Sequence, residues 1–105
     1  MSPEDLELQI EQVLYWDLAD VDPDRPLLEQ LSALKEDLLQ VIASEAFIID
    51  VGWYPEFSPD GSFGVVLIRD EDWATPVAQR TCGSVLELKR CLREILRVAS
   101  TFQQA

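Results

Sequence analysis

At 105 residues, 48% of them hydrophobic, the chain can bury one core and is too apolar to stay disordered despite a net charge of −12. It contains no histidine, which removes the commonest general base and metal ligand, and its acidity repels nucleic acid and anionic lipid while attracting basic surfaces. The opening "MSPEDLELQI" carries acids where a secretory signal would carry bases, and no apolar run approaches the ~18 residues of a membrane span, so a single domain in the cytoplasm is expected.

In chain order, Ser2, Pro3 and Asp5 make a helix-start signal, after which Leu6, Ile10, Val13 and Leu14 recur at helical spacing. This predicts a helix over about 3–17. "YWDLADVDPDRP" interrupts it with Asp20, Asp22, Pro23, Asp24 and Pro26. Pro26 then opens a second predicted helix, 26–45, with Leu27, Leu31, Leu34, Leu38, Val41 and Ile42 on one stripe. In "FIIDVGW" the period changes: Phe47, Ile49, Val51 and Trp53 alternate onto one face, which predicts a strand over 46–54. "SPDG" at 58–61 signals a turn, with Pro59 suited to its second position and Gly61 to a left-handed one. A strand over 62–70 returns from it, and a tight turn would set Phe57 opposite Phe63 and Trp53 opposite Leu67.

Pro76 suits the start of a shorter third strand, 76–82. Ser84 and Glu87 form a capping box for a final helix, 84–101, whose apolar stripe is Val85, Leu88, Leu92, Ile95, Leu96 and Ala99. Its other side carries Lys89, Arg90, Arg93 and Arg97, which suit pairing with acids of the first half. The expected fold class is α+β: two N-terminal helices, an antiparallel three-stranded meander, and a C-terminal helix packed on one sheet face.

Catalytic signals are scarce. Cys82 and Cys91 have no histidine to activate them and no further ligands for zinc, so they read as small packed thiols, and none of the four glycines belongs to a phosphate loop. "DVDPD" opens like a calcium loop, but Arg25 stands where that loop needs glycine and Leu31 where it needs its closing glutamate. "RDEDW" gathers three acids, yet alternate strand residues face opposite sides. No catalytic set, metal or cofactor is expected. What remains is charge and aromatics. Residues 1–50 hold thirteen acids against two bases, a balance of −11, whereas 51–105 hold seven against six. Aromatics sit beside acids in "YWD", "WYPEF" and "DEDW", a pairing that suits anchors within a charged rim.

The run "IDVGWYPEFSPDGSFGVVLIRDEDWATP", residues 49–76, resembles a segment of small bacterial immunity proteins of polymorphic toxin systems, in which a strand ending in GWYPE meets a PDG turn and a strand closing on acids and tryptophan. The matching elements are Gly52–Pro55, Pro59–Gly61 and Asp70–Trp73. The resemblance implies a non-enzymatic protein that binds and neutralises one cognate toxin. No toxin contact carries over residue by residue. The residues themselves point to a hairpin tip presented to a basic partner, and the expected partner-binding set is Glu56, Phe57 and Asp60 with Asp70, Glu71, Asp72 and Trp73. A monomer and a homodimer both fit. Two alternatives stand beside this reading: an acidic secretion or assembly chaperone holding a client chain, and a carboxylate-metal enzyme.

Overall fold

A computed structural model describes residues 1–6, 8, 10–44 and 46–103. Strand alternation governs more of them than helical spacing does. Five strands form one antiparallel sheet: β1 (Gln12–Trp16), β2 (Leu39–Ser44), β3 (Phe47–Tyr54), β4 (Ser62–Arg69) and β5 (Ala78–Cys82). Their order in the sheet is their order in the chain. One α-helix, α1 (Val85–Gln103), follows, and three single 3-10 turns lie at Leu18–Asp20, Leu27–Glu29 and Leu31–Ala33.

The two expected N-terminal helices are therefore absent, and the sheet has five strands where three were expected. The helix-start signal at Ser2 does form: the Ser2 amide donates to Asp5 Oδ2 at 2.8 Å and the Asp5 amide to Ser2 Oγ at 3.2 Å. It closes one turn and stops. Beyond it Val13, Tyr15 and Trp16 favour a pleated strand, and the edge of β2 offers backbone partners that a lone acidic helix would lack. The spacing of Leu6 and Ile10 reflects burial from an irregular segment, since Leu6 lies in the core and Ile10 packs against it.

The second helix fails at Gln30. This residue is buried, with φ −137°, and its side chain takes up the preceding turn: Oε1 accepts from the Asp22 amide at 2.8 Å, and Nε2 donates to the carbonyls of Asp22 and Arg25 at 2.8 and 3.1 Å. A side chain bonded to backbone in this way competes with helix propagation, leaving one 3-10 turn on either side. Further on, Leu39 and Val41 alternate inward as β2.

Register assigns the two faces of the sheet. Leu39, Val41, Ile49, Val51, Phe63, Val65 and Leu67 share one face and are fully buried. Leu88, Leu92, Ile95 and Ala99 of α1 belong to the same core, as do Met1, Leu6, Leu18, Val21 and Leu34 from the irregular N-terminal segments. Helix α1 begins as its capping box requires, with the Glu87 amide donating to Ser84 Oγ at 3.1 Å and Glu87 Oε2 accepting from the Gly83 amide at 3.1 Å. At the far end of the helix Phe102 stacks at a tilt on Phe47 (5.7 Å between centroids), and the Arg69 guanidinium lies over both rings.

The β3–β4 hairpin differs in register from the sequence expectation. Trp53 faces Phe63, and Tyr54 faces Ser62, so Phe57 lies in the loop and Trp53 is not opposite Leu67. The "SPDG" turn is present, closed by the Gly61 amide donating to the Ser58 carbonyl at 3.1 Å. Gly61 does not take a left-handed conformation. It is needed for space: a Cβ there would lie 2.2 Å from Trp53 Nε1, which donates to the Ser58 carbonyl at 2.9 Å.

Candidate functional site

The expected partner-binding residues fall into two groups at opposite ends of β4. Eight residues at about 3.3 Å each put the groups roughly 25 Å apart. Glu56, Phe57 and Asp60 form the β3–β4 tip, after a cis Tyr54–Pro55 bond. Phe57 adopts φ 61° and its amide donates to the Leu34 carbonyl at 2.8 Å, while its ring is 48% exposed. Glu56 Oε1 accepts from the Glu36 amide at 3.3 Å, and the Asp60 amide donates to Ser58 Oγ at 3.1 Å. The tip is thus tied to the 34–36 segment with its aromatic ring turned outward.

Asp70, Glu71, Asp72 and Trp73 make the opposite end. Asp70 and Glu71 have φ 54° and 60°, and the Asp72 amide donates to the Arg69 carbonyl at 3.0 Å, which is a tight turn with both central residues left-handed. Such a turn favours glycine at its second central position, where this chain has glutamate. The Asp72 carboxylate accepts from the Thr75 hydroxyl, which holds it below the usual carboxylate range. Trp73 is 48% exposed. Among the described residues no three carboxylates or thiols converge as a metal site.

Between these ends runs the second face of the sheet, which sequence reading did not single out. No described helix packs on it: α1 lies against the core face with Phe47 and Leu67. From the tip downward its β3–β4 pairs are Tyr54–Ser62, Gly52–Gly64, Asp50–Val66 and Ile48–Ile68, and β2 adds Gln40 beside Asp50 and Ile42 beside Ile48. The lower half is apolar. Ile42, Ile48 and Val66 are half-buried, and Ile68 is fully buried yet outside the main core cluster.

The upper half is anionic. Asp50 accepts from Gln40 Nε2 at 2.8 Å, and none of the ion pairs among the described residues includes it. Burial raises its pKa, the Gln40 hydrogen bond opposes this, and the charge of Asp37 adds to it. Tyr15, opposite Gln40 on β1, places its hydroxyl 2.7 Å from Asp17 Oδ2 and 2.6 Å from the Asp37 carbonyl. Burial, the bond to Asp17 and nearby acids push this phenol up to about 12. Lys35 Nζ pairs with Asp17 Oδ2 at 3.2 Å, and together with the Tyr15 bond this lowers the Asp17 pKa. Burial, then the charges of Asp50, Asp37 and Glu36, raise Tyr54.

Glycine shapes this region too. At Gly52 a Cβ would lie 1.8 Å from the Glu36 carbonyl oxygen, because the 35–37 segment crosses there with the Trp53 amide donating to the Lys35 carbonyl at 2.7 Å. The Tyr54 ring lies against Gly64, 3.2 Å from where a Cβ would stand.

Elsewhere, Cys82 and Cys91 are free thiols, and burial with the neighbouring Cys91 pushes Cys82 up to about 12, unsuited to a nucleophile. An open groove of about 560 Å³ beside the tip is walled by exposed Leu28 and Leu86, with Arg25 as its charged member and no carboxylate. Of the α1 cations expected to pair with the acidic first half, Lys89 acts electrostatically on Asp5, whose pKa is lowered chiefly by its hydrogen bonds to Ser2. Among the described residues the ion pairs are Lys35–Asp17, Arg69–Asp70 and Arg80–Glu94, and none of them involves Lys89, Arg90 or Arg97. No described helix is long and apolar enough to cross a membrane. Compared with family models, curated proteins and solved structures, the chain matches none.

Proposed function

We propose that the chain is a binding protein of the immunity type, which holds a basic toxin domain inactive in the bacterial cytoplasm by contact and without chemistry of its own. The observation that carries this reading is the pair of exposed aromatics flanked along the chain by exposed carboxylates: Phe57 with Glu56 and Asp60, and Trp73 with Asp70, Glu71 and Asp72. Large rings within an anionic rim suit a tight interface with a cationic partner, where rim charges speed association and buried rings slow dissociation. A partner covering about 800 Å² reaches roughly 30 Å across, comparable to the length of β4 that separates the two groups. The resemblance of residues 49–76 to immunity proteins supports the same reading.

The test is co-expression with the product of the neighbouring upstream gene, scored by growth and by co-purification. Rescue of growth and a stable salt-sensitive complex are expected. Phe57→Ala should raise the dissociation rate and lower affinity by about 2 kcal/mol while leaving the fold intact. A dimer that holds an unfolded client and rescues nothing would replace this reading with the chaperone.

A further inference from the structure

We infer that the uncovered face of the sheet is a docking surface for a cationic segment of a partner protein, with a lysine or arginine seated against Asp50 and flanking apolar side chains laid on Ile42, Ile48 and Val66. This rests on the reading of the chain as a binding protein and names the surface and the chemistry that would fill it.

Asp50 is out of place by every local rule. It sits in β3 with hydrogen-bonded strands on both sides, a position that disfavours aspartate. It is half-buried, bonded to one neutral amide and paired with no cation among the described residues. A partly buried unpaired charge costs stability, and a break with local rules that brings no structural gain is where function is found. Within the fold the interactions this carboxylate shows are the Gln40 hydrogen bond and its field on Tyr54, and neither neutralises the charge. Among the described residues the 35–37 segment crosses this face at Gly52 and Ile68 is fully buried, whereas Ile42, Ile48 and Val66 stay half-buried and the one described α-helix belongs to the opposite face.

Charge selects the occupant. Asp17, Glu36 and Asp37 stand at the tip end of this face, and Asp37 acts electrostatically on Asp50, Tyr15 and Tyr54 alike. A second copy stacked face to face would set these acids against one another, in a chain whose net charge is −12. A basic segment meets complementary charge above and apolar surface below. Along the strands this face runs from the tip to the Asp70–Trp73 turn, the span that a partner reaching both ends would cross.

The test uses the full chain with two short peptides as probes, one alternating lysine and valine, the other glutamine and valine. In nitrogen-labelled protein the lysine peptide should shift amide resonances of Gln40–Ile42, Ile48–Tyr54 and Ser62–Ile68, and the glutamine peptide should shift none. Asp50→Asn should weaken lysine-peptide binding about tenfold or more, and Asp24→Asn, which removes the same charge from the exposed Asp22–Arg25 turn, less than about twofold. The Asp50→Asn protein should unfold at an equal or higher temperature than the parent, so that lost binding is not lost folding. Shifts confined to the loops or α1, equal losses in the two variants, equal binding of both peptides, or no binding would each overturn the inference. So would concentration-dependent self-association that covers this face and is broken by Arg97→Glu on α1. Co-expression separates this proposal from the reading beneath it. If the parent and Asp50→Asn both rescue growth with the same affinity, the face falls and the inhibitor stands; if nothing is rescued yet the lysine peptide lands on the face, the inhibitor falls and the face stands.

Discussion

The two faces of the one sheet are written by the same alternation of side chains, yet they meet different fates. On the covered face every inward residue from Leu39 to Leu67 is sealed by α1 and the N-terminal segments, and Trp53 meets Phe63 edge to face at 5.0 Å. On the other, Ile68 is fully buried, but Ile42, Ile48 and Val66 stay half-buried beside a carboxylate and two glycines. Alternation thus sorts residues between faces but does not supply a cover for both. A face left in the second condition is stable only because the first carries the fold.

Mutations can break or sharpen this contrast. The largest loss is expected for Phe63→Ala, about 3–5 kcal/mol by urea unfolding, because a fully buried ring leaves a cavity among packed neighbours. A loss below about 1 kcal/mol would show that the covered face does not carry the fold. Gly52→Ala is the exception on the uncovered face, expected to cost about 2–3 kcal/mol because the new methyl meets backbone at Glu36 instead of open space. Val66→Ala, half-buried on the same face, should cost about 1 kcal/mol or less, and a value near that of Phe63→Ala would mean that a further layer covers it.

The smallest effect is one of pH. The Tyr15 phenol is raised from 10.0 to about 12 in the fold, so the folded state keeps a proton that the unfolded chain releases sooner. That contribution to stability is whole below pH 10 and is lost as pH climbs through about 12. Tyr15→Phe should therefore cost at most about 1 kcal/mol at neutral pH and flatten the alkaline decline, as followed by unfolding at a series of pH values.

The C-terminal half of the fold was legible because its signals are local. Expected strands at 46–54, 62–70 and 76–82 compare with Phe47–Tyr54, Ser62–Arg69 and Ala78–Cys82, and Ser84 and Glu87 make the bonds their spacing implies. The N-terminal half does not follow from local spacing because its decisive interactions are distant in sequence. Helical spacing in Leu27, Leu31 and Leu34 coexists with a Gln30 amide committed to Asp22 and Arg25, and β1 exists only because β2 lies beside it. The same cause hid the face around Asp50. The aspartate between Ile48 and Gly52 is visible in the sequence, but the spacing around its neighbours Gln40 and Tyr15 predicts helices, so nothing in the sequence places them together. At the site the tip and the acidic turn were visible as exposed aromatics with acids, whereas their separation by the length of β4 required the register.

Because sheet order repeats chain order, each strand pairs with the strand next to it in the chain, and only β1 is separated from its partner by a long connection. The entropy of loop closure is met in small steps, from the close β2–β3 and β3–β4 connections outward to β1, whose link to β2 is the longest between paired strands. Refolding should then begin at the β3–β4 pair and reach β1 last, at a rate toward the fast end for sheet proteins. Substitutions in β4 would slow folding, and those in β1 would mainly hasten unfolding, a division that stopped-flow kinetics can read directly.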